Sequence, residues 1–248
     1  MTAGPRVASA GALVLVLGVG GMAGLAQLST PGRELLPAPV SAPVPPVSAA
    51  GTEPASGADP APAPTVDPTW VSRTSAATGV PAPAVRAYGQ AQLSGIAGCD
   101  LGWTTLAGIG WIESQHGTLG GRTLGEDGRS SSPILGPALD GTGDVAAIRS
   151  TPASAAWHGD RRWEHAIGPM QFLASTWDRW ATDGDGDGSA DPLDLDDAAA
   201  AAARYLCASG TDLVTGPAWS AAVLSYNPSR EYVDSVRRAA QVYVDRLD

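Results

Sequence analysis

Every aromatic side chain of this chain lies at or beyond Trp70. A core needs large apolar side chains to bury, so residues 1–69 cannot build one and the folded body must begin near Trp70. The stretch Pro31–Pro68 holds 11 of the 21 prolines, mixed with Ala, Ser, Val and Gly. It reads as a disordered linker favouring extended, polyproline-like backbone, with a reach on the order of 100 Å at about 3.1 Å per residue. Ahead of it, Val7–Leu28 is uncharged and apolar behind Arg6, the pattern of an export leader. Small residues at Gly24-Leu25-Ala26 suit cleavage after Ala26, yet the run is also long enough to span a bilayer uncleaved. The expected organisation is a signal peptide or membrane anchor over 1–30, a linker over 31–68 and one folded domain over 69–248. The expected location is extracytoplasmic, at the cell wall or membrane-anchored, with membrane contact only through the N-terminal segment.

Charge and cysteine usage narrow the function classes. A formal charge of -10, with Arg supplying every strong base, excludes nucleic acid as a partner. Nothing in the pattern calls for an oligomer, and a monomer is expected. Cys99 and Cys207 form no CxxC motif; in an exported protein they most simply pair, the alternative being two buried free thiols. His116, His158 and His165 lack HExxH spacing, and no GxSxG or phosphate-binding glycine loop occurs, so zinc-protease, serine-hydrolase and nucleotide chemistries have no support.

Within the folded part the spacing predicts helices over Ala82–Leu93, Thr104–Gly117, about Ala174–Ala181, Asp197–Ala208, Ala218–Ser225 and Ser229–Leu247. On the second of these, Thr104 or Thr105 is the expected cap and Gly117 the left-handed residue beyond its end. Leu106, Ile109, Gly110 and Glu113 share one face at i, i+3, i+4, i+7. Glu113 is therefore a carboxyl on the face a helix normally buries. Lost hydration disfavours its charged form and raises its pKa, which is how a Glu serves as general acid near neutrality. The residues 118–165 show no clear periodicity, and an insertion of that length is either functional or disordered. Trp157 and Trp163 argue for order at its end, with core packing or sugar stacking open to each. Gly168-Pro169 forces a turn that presents Met170 and Gln171.

The strongest local motif is DGDGDGSADPLD, Asp183–Asp194. An EF-hand loop takes oxygen ligands at positions 1, 3, 5, 7, 9 and 12 and Gly at 6. Here these are Asp183, Asp185, Asp187, the carbonyl of Ser189, Asp191 and Asp194, with Gly188 at 6. Asp in place of Glu at position 12 shortens the last arm, which weakens Ca²⁺ or favours Mg²⁺. The oxygen-only, loop-saturated set points to a structural Ca²⁺, with no catalytic cofactor.

Glu113-Ser114 ending a helix, Gly168-Pro169-Met170-Gln171 before another, the EF-hand-like loop, and Ser225-Tyr226-Asn227 occur in that order. The set resembles the bacterial lytic transglycosylases of lysozyme-like fold, and in particular the membrane-bound type B kind with a metal loop, over about Ala82 to the C-terminus. The leader, linker and cysteine pair are similar to exported versions from high-GC Gram-positive bacteria. The resemblance implies a mainly α, goose-type-lysozyme-like domain with little or no sheet. It implies peptidoglycan glycan strands as substrate, cut between N-acetylmuramic acid and N-acetylglucosamine. Glu113 would be the catalytic acid, with Ser114 orienting it or the substrate. Met170 and Gln171 would line the sugar cleft, and Tyr226 and Asn227 would flank the site. Ser225 departs from the usual Ala. Two other readings stay open. One is a hydrolytic muramidase using a second carboxylate such as Asp144, Asp160 or Glu164. The other is a non-catalytic, calcium-stabilised wall-binding module.

Overall fold

The computed structural model describes residues 43–48, 64–95, 98–143, 145–209, 213 and 216–248. The leader, most of the linker and Asp144 lie outside them. Among the described residues the chain is mainly α, with helices and isolated bridges and no sheet. The helices are α1 (Pro68–Thr78), α2 (Ala82–Leu93), α3 (Trp103–Ser114), α4 (Pro152–His158), α5 (Ala174–Trp180), α6 (Leu195–Cys207), α7 (Gly216–Tyr226) and α8 (Arg230–Asp245). Among these residues no helix is long and apolar enough to cross a membrane.

The folded body begins with a helix the periodicity did not mark. Asp67 accepts from the Thr69 amide at 2.7 Å, Pro68 opens the first turn, and Gly79 closes the helix at φ 78°, the arrangement expected of these residue types. Just upstream, residues 43–48 of the linker region lie against residues 64–67. Val47 bridges Val66, and the Ser48 amide donates to the Thr65 carbonyl at 2.6 Å.

The core gathers where α3 packs on α8 and α2 packs on α6, joined by α7. Trp103, Trp219, Tyr88, Tyr232, Leu106, Ile109, Met170 and Leu206 are almost wholly buried there. Two glycines of α3 make this packing possible. A Cβ on Gly108 would stand 2.8 Å from the Val236 carbonyl of α8, and one on Gly110 would stand 2.0 Å from the Tyr88 phenol. Glycine is the residue that admits such approaches.

α3 begins at Trp103 with Gly102 at the cap, not at Thr104 or Thr105. Thr105 turns its hydroxyl inward, where Oγ1 accepts from the Trp219 indole at 3.0 Å. The helix ends at Ser114, followed by three left-handed residues, Gln115, His116 and Gly117, at φ 52°, 60° and 83°. α6 starts at Leu195, two residues before the expected start, because Asp194 caps it by accepting from the Asp196 amide at 2.9 Å. Cys99 and Cys207 are joined, with Cα atoms 5.8 Å apart. That bond ties the end of α6 to the segment entering α3.

The described residues of the 118–165 stretch form an arm. Bridges Leu124 to Ser130, Leu135 to Ile167, Asp140 to Ala147 and Arg149 to Trp163 fold it back on itself and on the turn before α5. Its helix α4 opens with a reciprocal Thr151–Ser154 capping box and Pro152 in the first turn. Capping residues carried this helix where periodicity could not, since it is only seven residues long.

Candidate active site

Glu113 sits in the last turn of α3 with its side chain buried. Its pKa is raised to about 8 by burial, opposed by one hydrogen bond. That bond comes from Tyr232 in the first turn of α8, whose phenol donates to Glu113 Oε1 at 2.5 Å. Tyr226, the last residue of α7, is also fully desolvated. Burial, then the nearby Glu113 charge, holds its phenol well above the usual tyrosine range, and the same causes act on Tyr232. Glu113 thus faces neutral phenols and, among the described residues, no ionic partner, so its protonated form is favoured through neutral pH.

The Gly168–Gln171 turn is bolted to this end of α3. Ser114 Oγ donates to the Pro169 carbonyl at 2.6 Å and accepts from the Gly117 amide at 2.8 Å. Ser114 therefore joins helix end to turn. Gly168, at φ 76°, admits no side chain, because a Cβ would lie 1.8 Å from the Pro192 carbonyl. The turn closes as Ile167 and Phe172 exchange backbone hydrogen bonds.

Met170 is fully buried, its sulfur set against Gly110. What it offers the site is its carbonyl, which accepts from the Tyr226 phenol at 2.7 Å. Gln171 occupies a left-handed position at φ 50°, a costly geometry for a side-chain-bearing residue. Its Nε2 donates to the Gly168 carbonyl at 2.8 Å. Its Oε1 faces Gly136 of the arm closely enough that a Cβ there would stand 2.8 Å away. Asn227 is buried, and its Oδ1 accepts from the Ser229 amide at 3.1 Å, holding the step from α7 into α8. Ser225 turns toward α6: its Oγ pairs with Ser209 Oγ at 2.8 Å and its carbonyl accepts from the Tyr205 phenol.

The described carboxylates considered as second acids are occupied elsewhere. Glu164 pairs with His158 at 2.8 Å. Asp160 accepts from the Arg162 and Trp163 amides and from His165, contacts that hold its pKa down to about 2. One face of Trp163 is taken by the Arg149 guanidinium, 3.9 Å from the ring centre.

In the acidic loop, the carboxylates of Asp183, Asp185 and Asp187 offer oxygens all within 4.8 Å of one another. All three are exposed. An oxygen-only set of this kind fits a hard divalent cation. Asp191 accepts a 2.7 Å ion pair from Arg129. Asp194, capping α6, faces Arg129 at 3.8 Å. Burial, then the charges of Asp196, Asp197 and Asp185, push Asp194 up to about 7. The carboxylate that reaches back over the loop is Asp197, accepting from the Gly184 amide at 2.7 Å and the Asp191 amide at 2.8 Å. A reading that stops at the twelfth loop position ends before it. The arm clamps the same region, with Arg86 donating to Asp196 at 2.6 Å and to the Glu126 carbonyl at 2.8 Å.

One site residue escaped sequence reasoning. Tyr232 was legible only as one of the inner-face residues of α8, and its meeting with Glu113 required the α3–α8 packing. His116 is buried as well, with Nδ1 3.1 Å from the Tyr88 phenol and Nε2 2.9 Å from the Tyr243 phenol. Burial depresses its pKa to about 3, so it bridges the two phenols as a neutral ring.

No curated protein and no solved structure matches the chain. Residues 152–224 match the family model described as Transglycosylase SLT domain. The matched span runs from α4 to the last turn of α7 and takes in the Gly168–Gln171 turn and the acidic loop; Glu113, Tyr226 and Asn227 fall outside it. Together with the mainly α, lysozyme-like architecture, this match supports a lytic transglycosylase domain acting on peptidoglycan.

Proposed function

We propose that the chain is an exported peptidoglycan lytic transglycosylase of the membrane-bound type B-like kind. It cleaves the β-1,4 bond from N-acetylmuramic acid to N-acetylglucosamine with Glu113 as its single acid and base. The observation that carries this is the isolation of Glu113. Its carboxyl is raised to about 8 by burial against the Tyr232 hydrogen bond, and the charge of no other described carboxylate adds to that shift. A retaining or inverting hydrolase of the usual kind works with two such groups.

The protonated Glu113 gives its proton to the glycosidic oxygen, the C1–O bond breaks, and positive charge develops at C1 of the muramic acid residue. The carboxylate left behind removes the proton from the C6 hydroxyl of the same sugar. That oxygen bonds to C1 and closes a 1,6-anhydro ring without water. Glu113 ends protonated, as it began. Tyr232 holds the carboxyl in place and stabilises its charged form between the two proton transfers. The buried Tyr226–Met170 link and Ser114 hold the Gly168–Gln171 turn in register, with Gln171 as the polar group offered to the substrate.

Asp183, Asp185 and Asp187, with Ser189, Asp191 and Asp197 nearby, would hold a structural Ca²⁺. When bound, it would offset part of the loop's negative charge, with no part in the bond-breaking chemistry. The disulfide agrees with an oxidising, extracytoplasmic location, and the leader and linker would tether the domain within reach of the wall.

Digestion of purified peptidoglycan, with mass spectrometry of the products, tests the proposal. Anhydro-ended fragments are expected from the wild type and none from Glu113→Gln. Reducing ends would replace the reading with hydrolysis, and no products at all would leave a wall-binding module.

A further inference from the structure

On the far side of α3 from the candidate active site lies a cavity of about 530 Å³ between α3, α8 and the end of α1. Trp111 and Glu113 are two residues apart, about 200° round the helix, so the cavity does not open on the catalytic carboxyl. Its walls combine Trp111 and Val242, 44% and 42% exposed, with Ile112, Tyr243, Arg238 and Arg246. Single exposed apolar residues are ordinary on a surface; an aromatic and an aliphatic one facing the same cavity are not.

The floor is rigid: the Tyr243 phenol is held by the neutral His116, and Trp111 tilts over the same imidazole at 5.7 Å. The rim is cationic. Arg238 donates to Ser235 Oγ at 3.0 Å and Arg246 to the Thr78 carbonyl. No carboxylate lines the cavity, and neither Arg is in an ion pair among the described residues. In a chain of net charge -10, a carboxylate-free, two-arginine groove floored by aromatic rings is complementary to an anionic ligand with an apolar face.

We propose that this groove is a second glycan-binding site, which takes a carboxylate-bearing stretch of peptidoglycan apart from the strand being cut. The C–H face of a pyranose ring would lie on Trp111, and a lactyl or stem-peptide carboxylate would pair with Arg238 and Arg246. The choice of ligand rests on the function proposed above. Bound there, an insoluble wall raises the local concentration of strands at the catalytic face, an avidity effect that a short soluble fragment does not feel.

The test uses the full chain carrying Glu113→Gln, sedimented with insoluble peptidoglycan, against the same chain with Trp111→Ala or Arg238→Glu added. Sedimentation at least tenfold weaker is expected for each. In the catalytically intact background, product release from insoluble peptidoglycan falls to a similar degree while release from short soluble fragments is unchanged. Unchanged sedimentation, or an equal fall on both substrates in Arg238→Glu, where only an exposed side chain changes, overturns the proposal. So does displacement of the bound chain by polyglutamate as readily as by soluble glycan, which would mark a docking site for an acidic protein. If wild type releases nothing from either substrate yet sedimentation still depends on Trp111 and Arg238, the enzyme reading fails and the groove stands.

Discussion

Burial of Glu113 costs the fold stability at neutral pH and keeps the carboxyl in the protonated form that the proposed chemistry needs. With its folded pKa at about 8 against an ordinary 4.5, the folded state favours the protonated carboxyl. That stabilisation is fully present below about pH 4.5 and is lost as pH rises through about 8. At pH 7 the residue costs the fold on the order of 3 kcal/mol relative to a neutral isostere. Glu113→Gln is therefore expected to abolish activity yet raise the melting temperature at pH 7, with the gain vanishing near pH 4; thermal melts at the two pH values check this. Activity should fall as pH climbs through about 8, where the acid loses its proton. The Tyr232 hydrogen bond favours the charged form, so Tyr232→Phe should move that alkaline limb upward while lowering the maximum rate. A pH–rate profile with an unmoved limb would sever Tyr232 from the acid.

At the scale of elements, α3 is held by what it lacks. Gly110 leaves the space that the Tyr88 phenol fills beside Met170. Gly110→Ala gains helix propensity worth at most about 1 kcal/mol, but its methyl group would overlap the phenol in a fully buried setting. Overpacking of this kind costs about 1–3 kcal/mol or more, so net destabilisation is expected, and denaturant titration reads it. Tyr88→Phe should recover part of the loss in the double variant. The acidic loop is the second element with a clear expectation. Its clustered carboxylates repel one another without a cation, so chelator should lower the melting temperature and excess Ca²⁺ should restore it. Asp197→Asn should blunt that response, because Asp197 ties the loop back through two amides. Equal melting in chelator and Ca²⁺ would remove the structural metal.

At the scale of the whole molecule, the Cys99–Cys207 bond closes a loop with a sequence separation of 108 residues. On the chain-entropy model it contributes about 4–5 kcal/mol. It joins the segment carrying the acid to the helix that follows the acidic loop. Reduction should therefore lower the melting temperature and, if α3 shifts, the activity as well; melts with and without reductant measure the first and product release the second. The arm from Thr118 to His165 belongs to this scale too, since it touches both the Gln171 turn and the loop through Gly136, Arg129 and Asp194.

How much was legible follows from the range of the forces involved. Helical periodicity, a proline before a helix, and oxygen ligands at alternate positions are local, and they placed α2, α5, α6, α7 and α8 to within a few residues. The arm was not legible, because it is built from isolated bridges, of which those to Ile167 and Asp194 reach distant parts of the chain, and from one helix too short to show a period. The expected cap at Thr105 failed for the same reason: a hydroxyl free in the sequence has a distant indole as its partner in the fold. The sequence by itself determined where a core can begin, which carboxyl a helix carries inward, and which cysteines exist to pair. Only tertiary packing decided that Tyr232 meets that carboxyl, that Met170 offers a carbonyl and not a side chain, and that Trp111 faces out beside two arginines. Those outcomes depend on which helix faces meet, and no local pattern encodes the angle and depth at which α3 and α8 cross.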